Sequence, residues 1–79
     1  MPTILRHAGY RFFFYSSDAD EPYHVHIERE DKNAKFWLQP VRLCYNGGFN
    51  RSEISKILKI VRDKQIIMVE AWNEYFNGN

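Results

Sequence analysis

The chain has 79 residues, with 11 Lys or Arg against 10 Asp or Glu for a formal net charge of +1, and one cysteine, Cys44. That balance gives no general attraction for nucleic acid, whose sequence-independent binding rests on clustered cations. The lone thiol excludes an intrachain disulfide framework and an all-cysteine zinc site; it fits a reducing cytosol, with Cys44 as a small core hydrophobe.

No apolar run approaches the ~20 residues that span a bilayer, and no signal-peptide pattern opens the sequence. A soluble, cytoplasmic protein with no membrane contact is the expectation. The length suits one domain, residues 1–79, burying only about 60% of its unfolded surface. Two Trp, five Tyr and six Phe, 16% of the chain, must supply that core. On so small a body some aromatic area is left over, which favours a partner protein or a second copy.

In chain order, GYRFFFYSS (residues 9–17), YHVHIERE (23–30) and NAKFWLQ (33–39) read as three strands rich in aromatic and branched residues. The connectors DADEP and DKN are short enough to join antiparallel neighbours. The segment PVRLCYNGG (40–48) reads as a short helical turn, with Gly47 and Gly48 permitting a reversal.

After Asn50 the pattern becomes helical. Asn50 is placed to cap the chain, with Glu53 completing a capping box and Phe49 and Ile54 spaced as a hydrophobic staple. Ile54, Ile57, Leu58, Val61, Met68, Trp72, Tyr75 and Phe76 follow one stripe, with Gln65 as its polar gap. An unbroken helix over 51–76 would be about 39 Å long, against a radius of gyration of ~12 Å for this length. It therefore kinks near Asp63 to Gln65 or overhangs onto a partner. The fold class is α+β: a three-stranded antiparallel β-meander followed by a C-terminal helix, or kinked helical pair, packed on one sheet face.

Period-two alternation sorts the strands into two faces. Phe12, Phe14, Val25, Ile27, Phe36 and Leu38 form an apolar face for the helix. The other collects Arg11, Phe13, Tyr15, His24, His26, Glu28, Lys35 and Trp37, and His24 and His26 are its candidate catalytic residues. Three readings of this face follow. It is a half-exposed surface, in which case replacing either histidine with Asn leaves folding nearly intact. It is a divalent-metal site of His24, His26 and Glu28, since alternate strand residues lie ~6.6 Å apart; His7, Cys44, Glu70 and Glu74 are the only other helpers, and no other cofactor is implied. Or it is a binding or catalytic face, with Arg11, Phe13, Tyr15, Glu28, Lys35 and Trp37 meeting RNA or another ligand while the imidazoles move protons in phosphodiester cleavage. A deep concavity with converging imidazoles favours chemistry, and a flat aromatic surface favours binding.

PTI (2–4), GYRFFFYS (9–16), EPYHVHIE (21–28), AKFWLQPV (34–41), GF (48–49) and EAWNEYF (70–76) together resemble the bacterial domain of unknown function 4160 family (DUF4160). The most specific parts are the Pro-x-His-Val-His strand and the Glu-Ala-Trp-x-Glu-Tyr-Phe ending. The resemblance implies a small stand-alone protein encoded beside another short domain, in arrangements suggestive of toxin and antitoxin pairs. It implies a partner protein and a toxin–antitoxin-like role, with no activity attached. Tyr23 stands where a second proline is usual and Asn73 where a histidine is usual, so a site using a histidine from the terminal helix would be incomplete here.

Overall fold

Tight turns lay down the strands. In the computed structural model, which describes residues 3–77, Ala8 and Gly9 both take positive φ (55° and 85°), and this left-handed pair joins β1 (Thr3–His7) to β2 (Tyr10–Phe13). Consecutive positive φ matches the right-handed twist of the flanking strands. A short 3-10 helix, Ser16–Asp20, then leads to β3 (His24–Arg29). Glu30, also at positive φ, turns the chain into β4 (Lys32–Leu38), and the cis Gln39–Pro40 peptide turns it into β5 (Val41–Gly47). The five strands pair antiparallel in sequence order, β1-β2-β3-β4-β5.

Among the described residues the meander thus has five strands, not three. Thr3 to His7 lacks the aromatic density of its neighbours, and the Ala8-Gly9 turn carries no Asn-Gly or Asp-Gly signal. Residues 41–47 are a strand instead of a helical turn: Val41, Leu43 and Tyr45 alternate with Arg42, Cys44 and Asn46, and the strand pairs along β4 with one irregularity at Lys35/Phe36. Cys44 lies in that exposed edge strand and is itself exposed, so it is no core hydrophobe. β2 is also shorter than the run 9–17 read as one strand: it ends at Phe13, and Ser16 and Ser17 enter the 3-10 helix.

Asn46 ends β5 by bracketing Phe49: its amide donates to the Phe49 carbonyl at 2.9 Å and its oxygen accepts from the Phe49 N–H at 3.0 Å. Gly48, at φ 118°, makes the reversal. Asn50 then caps α1 (Arg51–Asp63), accepting from the Glu53 N–H at 2.8 Å. The Glu53 carboxylate turns outward to Lys32 (3.5 Å) and Arg29 (3.6 Å), tying the helix start to the β3–β4 hairpin.

The helical segment breaks at Lys64, and α2 (Gln65–Asn77) starts at once. Gln65, the gap in the apolar stripe, donates its side-chain amide to the Leu38 carbonyl at the end of β4. Two helices of 13 residues, about 20 Å each, fit a body of 37 × 23 × 21 Å with a radius of gyration of 11.7 Å.

The core lies between helices and sheet. Phe12, Phe14, Val25, Ile27, Phe36 and Leu38 are all buried on the face read as apolar, against Ile57, Ile60, Val61, Met68 and Trp72. Tyr10, Ala34 and Phe49 complete it. Trp72 is the hub of its far end, with ring centroids 5.1 Å from Phe14, 4.5 Å from Phe76 and 5.5 Å from Tyr23. Among the described residues, no helix is long and apolar enough to cross a membrane.

Trp72→Ala is expected to lower unfolding free energy by ~3 to 5 kcal/mol through loss of burial and the cavity left behind. Urea denaturation followed by circular dichroism measures it; a loss below ~1 kcal/mol would mean that α2 does not seal the core.

Candidate functional site

β3 carries His24 and His26 on the face away from the apolar core set, two residues apart as the pleat requires. The register places Glu28 opposite Arg11, His26 opposite Phe13 and Lys35, and His24 opposite Trp37. All eight residues assigned to this face from alternation are therefore neighbours on or beside it, yet they form no open aromatic platform. Phe13 is buried, with the Arg11 guanidinium 4.1 Å from its ring centroid, Tyr15 edge-on at 5.2 Å and His26 stacked at 5.5 Å. Only Tyr15 is fully in the exposed class.

The cations of this face are engaged within the chain. Arg11 meets Glu28 at 3.0 Å and Thr3 at 3.1 Å. Lys35 pairs with Glu21, whose carboxyl it holds below the usual carboxylate range by hydrogen bonding, and lies 4.8 Å from the Trp37 ring centroid. Glu28 thus faces Arg11, and the carboxylate that meets the histidines comes from elsewhere.

That carboxylate is Asp18. It sits on the 3-10 helix between β2 and β3, folded back by reciprocal contacts with Tyr15. The Tyr15 N–H donates to Asp18 Oδ2 at 2.8 Å, and the Asp18 N–H donates to the Tyr15 carbonyl at 3.0 Å. The turn brings Asp18 Oδ2 to 3.0 Å from His26 Nε2 and 3.1 Å from His24 Nε2. Asp18 was hidden in the connector DADEP; its only sequence signal is an acid three residues after the last strand aromatic, in the disposition of a side chain that closes a turn on its own backbone.

His24 is the unusual member. It is 0% exposed, walled by Trp37 at 5.8 Å, by Trp72 at 5.1 Å and by the edge of His26 at 5.0 Å. Its Nδ1 lies 2.8 Å from the Pro22 carbonyl. A carbonyl only accepts, so Nδ1 carries a proton, and the Nε2 of a neutral ring is then a bare lone pair. Nε2 finds no hydrogen-bond partner even though Asp18 Oδ2 is 3.1 Å away; in the neutral tautomer that contact sets acceptor against acceptor. It becomes favourable with a proton between the two atoms or a cation shared by them.

His26 is half-buried, and burial holds its imidazole below the ordinary histidine range, with Asp18 pulling the other way and the charges of His24 and Lys35 adding to the depression. A neutral imidazole is therefore favoured at His26. The phosphodiester scheme needs both rings to touch a substrate, and His24 has no surface with which to do so. Three surface cavities, lined by Thr3, Ile4 and α2, by Pro22, Tyr23 and Trp72, and by Trp37, Pro40 and Arg42, are likewise not lined by Asp18, His24 or His26. Among the described residues, Asp18, His24 and His26 are the group with ligand atoms close enough to hold one metal ion, all within 4.8 Å of one another.

Residues 9–73 match the family model described as Domain of unknown function (DUF4160), so the chain belongs to that family. No curated protein and no solved structure matches. Tyr23 and Asn73 meet in space: the Tyr23 hydroxyl donates to Asn73 Oδ1 at 2.9 Å, tying the start of β3 to α2.

His24→Ala is expected to cost about 3 kcal/mol, since it opens a cavity and strands the Pro22 carbonyl. His26→Asn, at the exposed side of the cluster, should stay near 1 kcal/mol. Parallel urea melts measure both, and equal costs would place the two rings in equivalent environments.

Proposed function

We propose that this member of the DUF4160 family is a protein-interaction module that presents the outward side of α2 to a partner protein, the small protein encoded beside it in a toxin–antitoxin-like pair. One observation carries the reading. α2 carries eight apolar residues in 13, Ile66, Ile67, Met68, Val69, Ala71, Trp72, Tyr75 and Phe76, of which Met68 and Trp72 are buried and Val69, Ala71 and Phe76 pack half-buried against the core. The other three are left to solvent. Here Ile66 is 72% exposed, Ile67 52% and Tyr75 43%.

The exposed residues are organised. Ile67 and Tyr75 lie at i and i+8 of a single helical stripe, with the half-buried Ala71 between them at i+4. Ala71, Glu74 and Tyr75 also wall an open groove of about 450 Å³ with Thr3, Ile4 and Phe14, large enough for an apolar side chain. The charge on α2 is wholly acidic, Glu70 and Glu74, whereas α1 carries Arg51, Lys56, Lys59 and Arg62. The complementary partner surface is apolar with a basic rim.

Co-expression with the product of the neighbouring gene tests the reading, scoring copurification and growth together. The wild-type chain is expected to copurify, and Ile67→Asp to abolish copurification while shifting stability by less than ~0.5 kcal/mol, as for an exposed position. A monomer by light scattering that ignores its neighbour, or a complex indifferent to Ile67→Asp, contradicts it.

A further inference from the structure

We propose that Asp18, His24 and His26 bind one divalent transition-metal ion through Asp18 Oδ2 and the two Nε2 atoms. The inference goes beyond partner binding, since it does not rest on the exposed stripe of α2.

Three linked features point to a cation. Donor atoms held 2.0 to 2.1 Å from a common centre, at angles of 90° to 110°, lie about 2.8 to 3.4 Å apart. Asp18 Oδ2 stands 3.0 and 3.1 Å from the two imidazole nitrogens, so two of the three donor pairs fall within that window. The second feature is the buried, unpartnered His24 Nε2, aimed at a carboxylate oxygen with its lone pair forward. The third is the Pro22 carbonyl on His24 Nδ1, the arrangement by which a metal-ligating histidine is locked in its tautomer and its ligating nitrogen made more basic. The Tyr15 N–H on Asp18 Oδ2 fixes the carboxylate in the same way.

The donor set selects the ion. Two imidazoles and a carboxylate suit zinc and its first-row neighbours, not calcium or magnesium, which prefer all-oxygen ligands. Three protein ligands leave at least one coordination position for water or another small ligand. His24 is sealed, while Asp18 and His26 keep 11% and 17% of their side-chain surface, so entry is from their side. Glu28 is not a ligand in this arrangement because Arg11 holds it. The competing state places a second proton on His24 Nε2, giving an imidazolium that donates to Asp18.

The test uses full-length chelator-treated protein carrying Cys44→Ser, which removes the exposed thiol as a surface ligand. Competition with a chromophoric chelator should show one zinc per chain at neutral pH, and cobalt(II) should give visible d–d bands of a nitrogen- and oxygen-ligated site. Asp18→Asn and His26→Gln should each weaken zinc at least tenfold while remaining folded by circular dichroism; His24→Gln is the third variant and the one most prone to unfold. Magnesium and calcium should not compete. Absence of one-to-one zinc or cobalt binding at 100 µM (roughly the weak end of a specific site), or binding undiminished in both Asp18→Asn and His26→Gln, overturns the proposal in favour of the imidazolium pair. Neither outcome bears on capture of the partner by α2.

Discussion

A fully buried imidazole must satisfy two nitrogens inside the protein, and His24 does so with unequal success. Nδ1 is settled on the Pro22 carbonyl, while Nε2 confronts Asp18. Much of the far end of the molecule is arranged around that constraint. Pro22 must stay at the entry to β3, the 3-10 helix must fold back so that Asp18 reaches the ring, and Trp72 of α2 must close over it. One residue therefore links the connector before β3, the second face of the sheet and the terminal helix. Unpaired polar burial costs on the order of 1 to 3 kcal/mol, a large share of the ~5 to 15 kcal/mol by which a domain is stable. The contact between His24 and Asp18 is thus expensive unless a proton or a metal ion occupies it.

The two sides of the molecule divide the work. On one, an aromatic core between the apolar sheet face and α1 with α2 supplies stability, helped by the Asn50 cap and the Asn46 bracket around Phe49. On the other, the residues that looked like a binding platform spend their polar groups on each other, Arg11 on Glu28 and Lys35 on Glu21. The apolar surplus of this aromatic chain appears instead on α2, where Ile66, Ile67 and Tyr75 face outward. The hydrogen bond between Tyr23 and Asn73 ties the entry of β3 to α2.

The sequence made the α+β class and both sheet faces legible, because each rests on periodicity over many residues, and it offered the helix break as one of two alternatives. The six residues of the apolar face are all buried, and the interruption falls at Lys64, inside the span where an unbroken helix became too long. β1 and β5 were not legible. Thr3–His7 mixes Arg and His with its apolar residues, and Val41–Gly47 is exposed along most of its length, so neither shows the burial contrast on which alternation depends. His24 and His26 were visible as a pair, but their carboxylate partner was not. Glu28 is nearer along the strand and has the right parity, whereas Asp18 arrives only through the fold-back of a 3-10 turn, which leaves no periodic trace. Nor could alternation reveal that His24 is sealed while His26 is not, since that difference comes from Trp72, 48 positions downstream.

The protonation of the His24 ring is the most direct measure of whether this cluster is built as described. Long-range nitrogen–proton correlation spectra of imidazole-labelled, chelator-treated protein at neutral pH distinguish a protonated from a bare ring nitrogen, and titration with zinc reports ligation at the latter. The geometry predicts a persistent proton on Nδ1, slowly exchanging behind the Pro22 carbonyl, with the Nε2 resonance shifting on zinc addition and Nδ1 keeping its proton. A His24 ring protonated on Nε2 with a bare Nδ1 would contradict it, because the Pro22 carbonyl would then face a lone pair and the nitrogen aimed at Asp18 would need nothing from outside the chain.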